Sequence, residues 1–186
     1  MCNLLSKLTP NLPAIVGIVI HRGALSQANW AVTLGRYANL PVVEPAHLQK
    51  LTHGIVYIAP SDMHMTFGLD RALLDQSTKQ HFTRPAVDPL FSSAARAYGK
   101  RVVGVVLTGG GHDGAQGLLD ITAAGGISLV QKPAEAEVTS MPEHALIHDH
   151  VHAALTLHAL AEVLPRLALG DEVEISAEPA RPTGAA

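Results

Sequence analysis

Cysteine is nearly missing from this chain: Cys2 is the only one among 186 residues. That excludes a disulfide framework and a cysteine-based zinc site. Long apolar runs are missing too. The longest, residues 14–20, falls far short of the roughly 20 residues of a membrane-spanning helix. It also lacks the charged start and small-residue cleavage site of a secretory signal. Charge is sparse, with 16% charged residues, a formal net charge of -3 and no basic stripe; this argues against a nucleic-acid partner. What the chain does have is apolar content, 47% of its residues, too much for a disordered polypeptide. Its length fits one domain, for which about 100–200 residues is usual, and suffices for a sizeable core. A soluble, cytoplasmic protein is the expectation. The unusual number is 11 histidines.

Along the chain, short β-favouring runs alternate with stretches rich in alanine and leucine. Residues 14–20 read as a strand buried on both faces. A helix over 27–38 follows, with Ser26 placed to cap it. Residues 41–44 and 54–59 are strand-like, and 63–67 and 71–75 flank Gly68 as a hairpin. Asp88 opens a helix with Pro89 in its first turn, ending near Gly99. Residues 101–107 form another buried strand, 114–124 the next helix and 127–131 a short strand; 142–148 and 154–167 read as helices. Strands separated by helices imply parallel pairing through right-handed crossovers. The predicted fold is α/β, a doubly wound, mostly parallel sheet with helices on both faces and a small antiparallel hairpin annex. From Gly170 the composition shifts to Glu, Pro, Ala, Arg and Thr without apolar period. One domain over residues 1–168 and a disordered tail over 169–186 are expected.

Sites in such a sheet form at the carboxyl ends of strands. The first strand runs into His21-Arg22-Gly23, and the later one into Thr108-Gly-Gly-Gly-His-Asp-Gly114. At the sheet's edge, His21 is placed to act as a general base near neutral pH; the plainer alternative is a polar residue ending a strand. Asp113 stands where the glycine loop becomes a helix. It reads either as an N-cap or as the acid that orients a histidine and stabilises its imidazolium. His112 is a second candidate base or a solvated loop residue. Gly109, Gly111 and Gly114 also spell the dinucleotide fingerprint G-x-G-x-x-G. That fingerprint needs an acid about 20 residues on, where this chain has Gln131-Lys132, with Glu135 only after Pro133. His144, His148 and His152 recur every four residues, as zinc ligands on one helix face would. A turn near Asp149 breaks the series, and no third ligand is fixed; a solvated histidine-rich surface is the plainer account.

Four ordered motifs carry a family resemblance. Ala59-Pro-Ser-Asp-Met-His-Met65, Arg84-Pro-Ala-Val-Asp88-Pro-Leu-Phe91, Val105-Val-Leu-Thr-Gly-Gly-Gly-His-Asp-Gly-Ala115 and Ser140-Met-Pro-Glu-His-Ala145 resemble the catalytic domain of chemotaxis protein-glutamate methylesterases, over about residues 3–167. The resemblance implies the fold just described. It also implies hydrolysis of methyl esters on chemoreceptor glutamates, deamidation of certain receptor glutamines, and a Ser-His-Asp triad that needs no metal or cofactor. His21 becomes the base and Asp113 its orienter. The family's serine lies in a glycine-rich turn between the domain's first strand and first helix. This chain starts inside that helix, near Cys2-Asn-Leu-Leu-Ser6, so the serine is expected a few residues upstream of Met1. Neither Cys2, Ser6 nor Ser26 matches its register. A missing central strand would leave neighbouring strand edges unpaired.

Beside Asp113, Gly110 replaces the family's usual methionine and His112 its small polar residue. The implied partners are methylated cytoplasmic segments of chemoreceptors, with no nucleic acid and no membrane insertion. Nothing in the chain resembles the receiver domain that precedes the catalytic one in the familiar arrangement. Two other classes remain open at this point: a non-catalytic relic that binds a receptor or partner through the cleft, and a nucleotide-binding α/β protein that uses the loop from Gly109 to Gly114.

Overall fold

The apolar runs of residues 14–20 and 101–107 become edge strands of two parallel half-sheets, and the first is only partly buried among the described residues. The computed structural model describes residues 1–23, 28–148 and 151–175. In chain order its regular elements are α1 (Cys2–Lys7), β1 (Ile15–Ile18), α2 (Trp30–Gly35), β2 (Val42–Val43), β3 (Ile55–Ile58), the hairpin β4 (His64–Phe67) and β5 (Ala72–Asp75), and α3 (Val87–Tyr98). These are followed by β6 (Val103–Val106), α4 (Ala115–Ala123), β7 (Ile127–Gln131), α5 (Ser140–His148), β8 (Ala153–Leu155) and α6 (Leu157–Leu169). The first half-sheet has the order β1-β3-β2 and the second β6-β7-β8, all parallel, while β4 and β5 pair antiparallel.

Alternation along β3 divides the core between the two faces, as the period of 2 in a strand requires. Val56 and Ile58 join Leu5, Ile18 and Leu34 on one face, whereas Tyr57 meets Phe67 and Leu90 on the other. Leu4 of α1 packs with Leu129 and Leu160 of the second half, so α1 spans both halves. On the opposite face α3 and α4 lie close because Gly117 offers no side chain: a Cβ there would come 2.4 Å from the Cβ of Phe91.

Each half-sheet ends in an open strand. Among the described residues β1 pairs only with β3, and β6 only with β7. Val19, just beyond β1, packs into the cluster built on Val87, Val106 and Leu118. The two open edges therefore lie next to one another.

The doubly wound sheet and hairpin annex expected from the sequence are present, with one correction. Residues 154–167 are not one helix. Ala153, Ala154 and Leu155 pair in parallel with Leu129, Val130 and Gln131, and Thr156 caps α6 by accepting a hydrogen bond from the Ala159 amide at 3.1 Å. Three small and apolar residues carry no period that separates a short strand from a helix. Ser26 lies outside the described residues; Asn29 caps α2, its side chain accepting from Val32 N at 3.0 Å. At the other end α6 runs to Leu169, Gly170 (φ 84°) closes it, and Ile175 packs against the cluster of Leu129 and Leu160. The rest of the expected tail, residues 176–186, lies outside the described residues. Among the described residues no helix is long and apolar enough to cross a membrane.

Candidate active site

Both strand ends singled out in the sequence meet. His21, three residues past β1, donates from Nε2 to Asp113 Oδ2 at 2.6 Å. The imidazole is 29% exposed and the carboxylate 1%. Asp113 also accepts from the backbone amides of Val87 (2.6 Å, on Oδ2) and Asp88 (3.0 Å, on Oδ1). These are the first amides of α3, which a helix N-terminus leaves without intrahelical partners. Burial opposes ionisation of Asp113 more than any single effect favours it. The hydrogen bonds from His21, Val87 and Asp88 together outweigh burial, and the carboxyl is held below its ordinary value of 3.8. An ionised carboxylate only accepts, so the network assigns the imidazole proton to Nε2 and leaves the lone pair on Nδ1. No group among the described residues hydrogen-bonds that Nδ1.

Of the two readings of Asp113, the cap of its own helix is therefore not what the structure contains. Gly114, with φ 96°, holds the N-cap position of α4. The acceptor for α4 comes from α3 instead: Asp88 Oδ1 takes the amide hydrogens of Gly114 (3.0 Å) and Gly117 (2.7 Å). The N-terminus of α4 thus meets a carboxylate from α3, and the N-terminus of α3 one from the loop that leads into α4. Asp88 Oδ2 accepts from His81 Nε2 at 2.8 Å, a residue that sequence reasoning did not single out. His81, Asp88 and Asp113 have ligand-type atoms within 4.8 Å of one another, but each of the two carboxylates already accepts three hydrogen bonds. The group is built as a brace for the catalytic-type dyad. Asp88→Ala strips three buried or half-buried donors of their acceptor, and its expected effect is a loss of about 2–4 kcal/mol, read from urea unfolding. A loss below about 1 kcal/mol would contradict the brace.

The glycine loop does not cradle a phosphate. The N-terminus of α4, where a phosphate would bind, is filled by the Asp88 carboxylate. Gly109 lies against Met141, whose Sδ would be 2.3 Å from an added Cβ. At the end of β7, Gln131 is buried and accepts from Thr108 N at 2.8 Å. The nucleotide-binding alternative falls on these three points. The side chain of His148, which both four-residue spacings share, lies outside the described residues. The ring of His144 lies 5.0 Å from that of His112, centroid to centroid, and His152 Nδ1 accepts from Ser128 N at 3.1 Å.

His21 opens onto a cleft of about 330 Å³ whose wall includes Arg22, Lys79, Phe82 and Arg84. Two of these cations are neutralised. Arg22 donates to Glu44 Oε1 (2.7 Å) and to Ala59 O (2.6 Å), and Arg84 donates from Nε and Nη2 to Asp62 Oδ1 (3.0 and 2.8 Å). Between Gln80 and Thr83, which exchange both backbone hydrogen bonds, His81 (φ 49°) and Phe82 (φ 63°) form a two-residue turn. Both φ values are positive, the signature of a type I′ turn, for which Asn-Gly is the favoured pair. Side chains such as these enter that region at a cost of about 1–3 kcal/mol each.

A histidine held by a buried carboxylate at the strand ends of a doubly wound sheet has the geometry of two members of a nucleophile–histidine–acid hydrolase centre. Comparison with known proteins narrows that class. Residues 1–164 match the CheB methylesterase family, and the chain belongs to it. A relative from Leptospira interrogans is 35% identical over 170 residues, covering 89% of this chain and 88% of that protein. The protein-glutamate methylesterase/protein-glutamine glutaminase of Ralstonia nicotianae is 39% identical over 170 residues, but the match covers 44% of its length. The crystal structure of the Thermotoga maritima CheB methylesterase catalytic domain superposes with a TM-score of 0.85 at 28% identity, covering 89% of this chain and 90% of that one.

Proposed function

We propose that this domain is a protein-glutamate methylesterase, with protein-glutamine deamidase activity, that acts in the cytoplasm on methylated chemoreceptor segments. One observation carries the assignment of roles: His21 Nε2 is committed to Asp113 at 2.6 Å while Nδ1 keeps its lone pair. In this reading a serine hydroxyl transfers its proton to Nδ1 as its oxygen attacks the ester carbonyl. Asp113 holds the ring and stabilises the imidazolium. The candidate donors to the oxyanion are backbone N–H groups of the glycine loop that are not already committed, as those of Gly109, Gly111 and Gly114 are. The imidazolium then returns the proton to the leaving methoxide. Methanol departs, and water, deprotonated by the same nitrogen, releases the glutamate. Deamidation follows the same course with ammonia as the leaving group.

The reading places the serine on a segment upstream of Met1 whose strand lies between β1 and β6. The adjacent open edges of those strands support it. The test is methanol release from a methyl-esterified receptor fragment by the native protein purified from its own host. Release that saturates with substrate is expected; none at any pH between about 6 and 9 would contradict the assignment.

A further inference from the structure

Phe82 is 97% exposed, more than any other large apolar side chain among the described residues, and it stands on the rim of the cleft that holds His21. Its backbone presents it there. The two central positions of the turn are left-handed, a region that bulky residues rarely enter. Neither of them is glycine or asparagine, the residues that suit such a turn. The turn is clamped from within: His81 is held by Asp88 at 2.8 Å, and the His112 ring meets the His81 ring edge-on at 4.8 Å. A strained turn that delivers an aromatic ring to water contributes no burial to the fold, and strain of this kind is concentrated at binding and catalytic sites. Next to it Lys79 is exposed and has no ion-pair or hydrogen-bond partner among the described residues, whereas Arg22 and Arg84 are paired with Glu44 and Asp62. The rim therefore offers one aromatic ring beside one uncompensated positive charge.

We propose that Phe82 and Lys79 form a docking point for the acidic protein segment that carries the ester. Phe82 packs on an apolar side chain next to the modified residue, and Lys79 meets a neighbouring carboxylate. The identity of the segment rests on the esterase reading of His21 and Asp113; the existence of the docking point does not. Aromatic residues at the centre of an interface carry much of its binding energy, while an exposed charge steers and selects the partner.

The test is fluorescence anisotropy with a labelled, glutamate-rich peptide that bears one γ-methyl ester flanked by leucines, titrated with the native protein. Asparagine tolerates positive φ, so Phe82→Asn keeps the turn, and its thermal midpoint is expected at or above that of the wild type. Its affinity for the peptide is expected to fall roughly tenfold. Lys79→Glu weakens binding by an amount that shrinks as salt is raised. Leu69→Asn removes another exposed apolar side chain, on the β4–β5 turn, and leaves affinity unchanged. Failure of the wild type to bind, equal affinity of wild type and Phe82→Asn, or equal weakening by Leu69→Asn overturns the docking point. Methanol release from a small blocked glutamate γ-methyl ester, measured on the wild type, reads the esterase assignment separately. Hydrolysis with no effect of Phe82→Asn on binding removes the docking point alone; binding that depends on Phe82 without any hydrolysis removes the esterase alone.

Discussion

Replacing His21 by alanine abolishes ester hydrolysis by the native protein, with kcat reduced about 10⁴-fold or more. The size of the effect follows from what the ring does. In the proposed mechanism it takes the proton of the attacking hydroxyl and returns it to the leaving methoxide, so neither half of the reaction proceeds without it. The fold barely registers the change, because the imidazole is 29% exposed and its one hydrogen bond goes to Asp113. The far-UV circular dichroism spectrum is expected to be unchanged, and the free energy of unfolding in urea to stay within about 1 kcal/mol of the wild type. Turnover that survives in His21→Ala would remove the base from the account.

Asp113→Asn reduces kcat by about 10⁴-fold as well, through the tautomer. An amide NH2 turned towards His21 donates where the carboxylate accepted. The ring then carries its proton on Nδ1 and has no lone pair there for the nucleophile. The same substitution also destabilises the protein, since the carboxylate accepts from Val87 N and Asp88 N at the start of α3. Its pH dependence has a definite sign. The carboxyl is held below 3.8 in the folded protein, while an unfolded aspartate titrates near about 3.9. The stability it contributes is fully present above about pH 5 and is lost as pH falls through the folded value. Urea midpoints of wild type and Asp113→Asn therefore differ most near neutrality and converge towards pH 3. A gap that stays constant or widens in acid would contradict a carboxylate held ionised by its neighbours.

The convergence of His21 and Asp113 follows from strand ends, where side chains of a doubly wound sheet meet, whereas their roles come from the family resemblance. Their sequence separation did not matter. Asp88 and His81 were not legible in the same way. Asp88 reads as an ordinary first-turn acid of α3, and only the crossing of α3 and α4 brings it to the amides of Gly114 and Gly117. For His81 no local pattern exists, since its conformation is imposed by Asp88 and His112 rather than by turn-forming residues. The contact of His144 with His112 has no local signal either, because it joins two segments distant in sequence. Ala154 and Leu155 fall inside the helix expected over 154–167 because a strand of three residues is too short for periodicity, although Thr156 ahead of an apolar helical run carries the cap signal that marks the boundary.

The central claim is that His21 and Asp113 serve a serine nucleophile. Native protein isolated from its own host is treated with a serine-directed fluorophosphonate, and its intact mass and peptide map are recorded. The expected result is a single adduct on a serine N-terminal to Met1, in a glycine-rich turn, formed by the wild type and not by His21→Ala. A native mass of 19.6 kDa with no adduct would contradict the claim and leave the two residues as a dyad without a nucleophile.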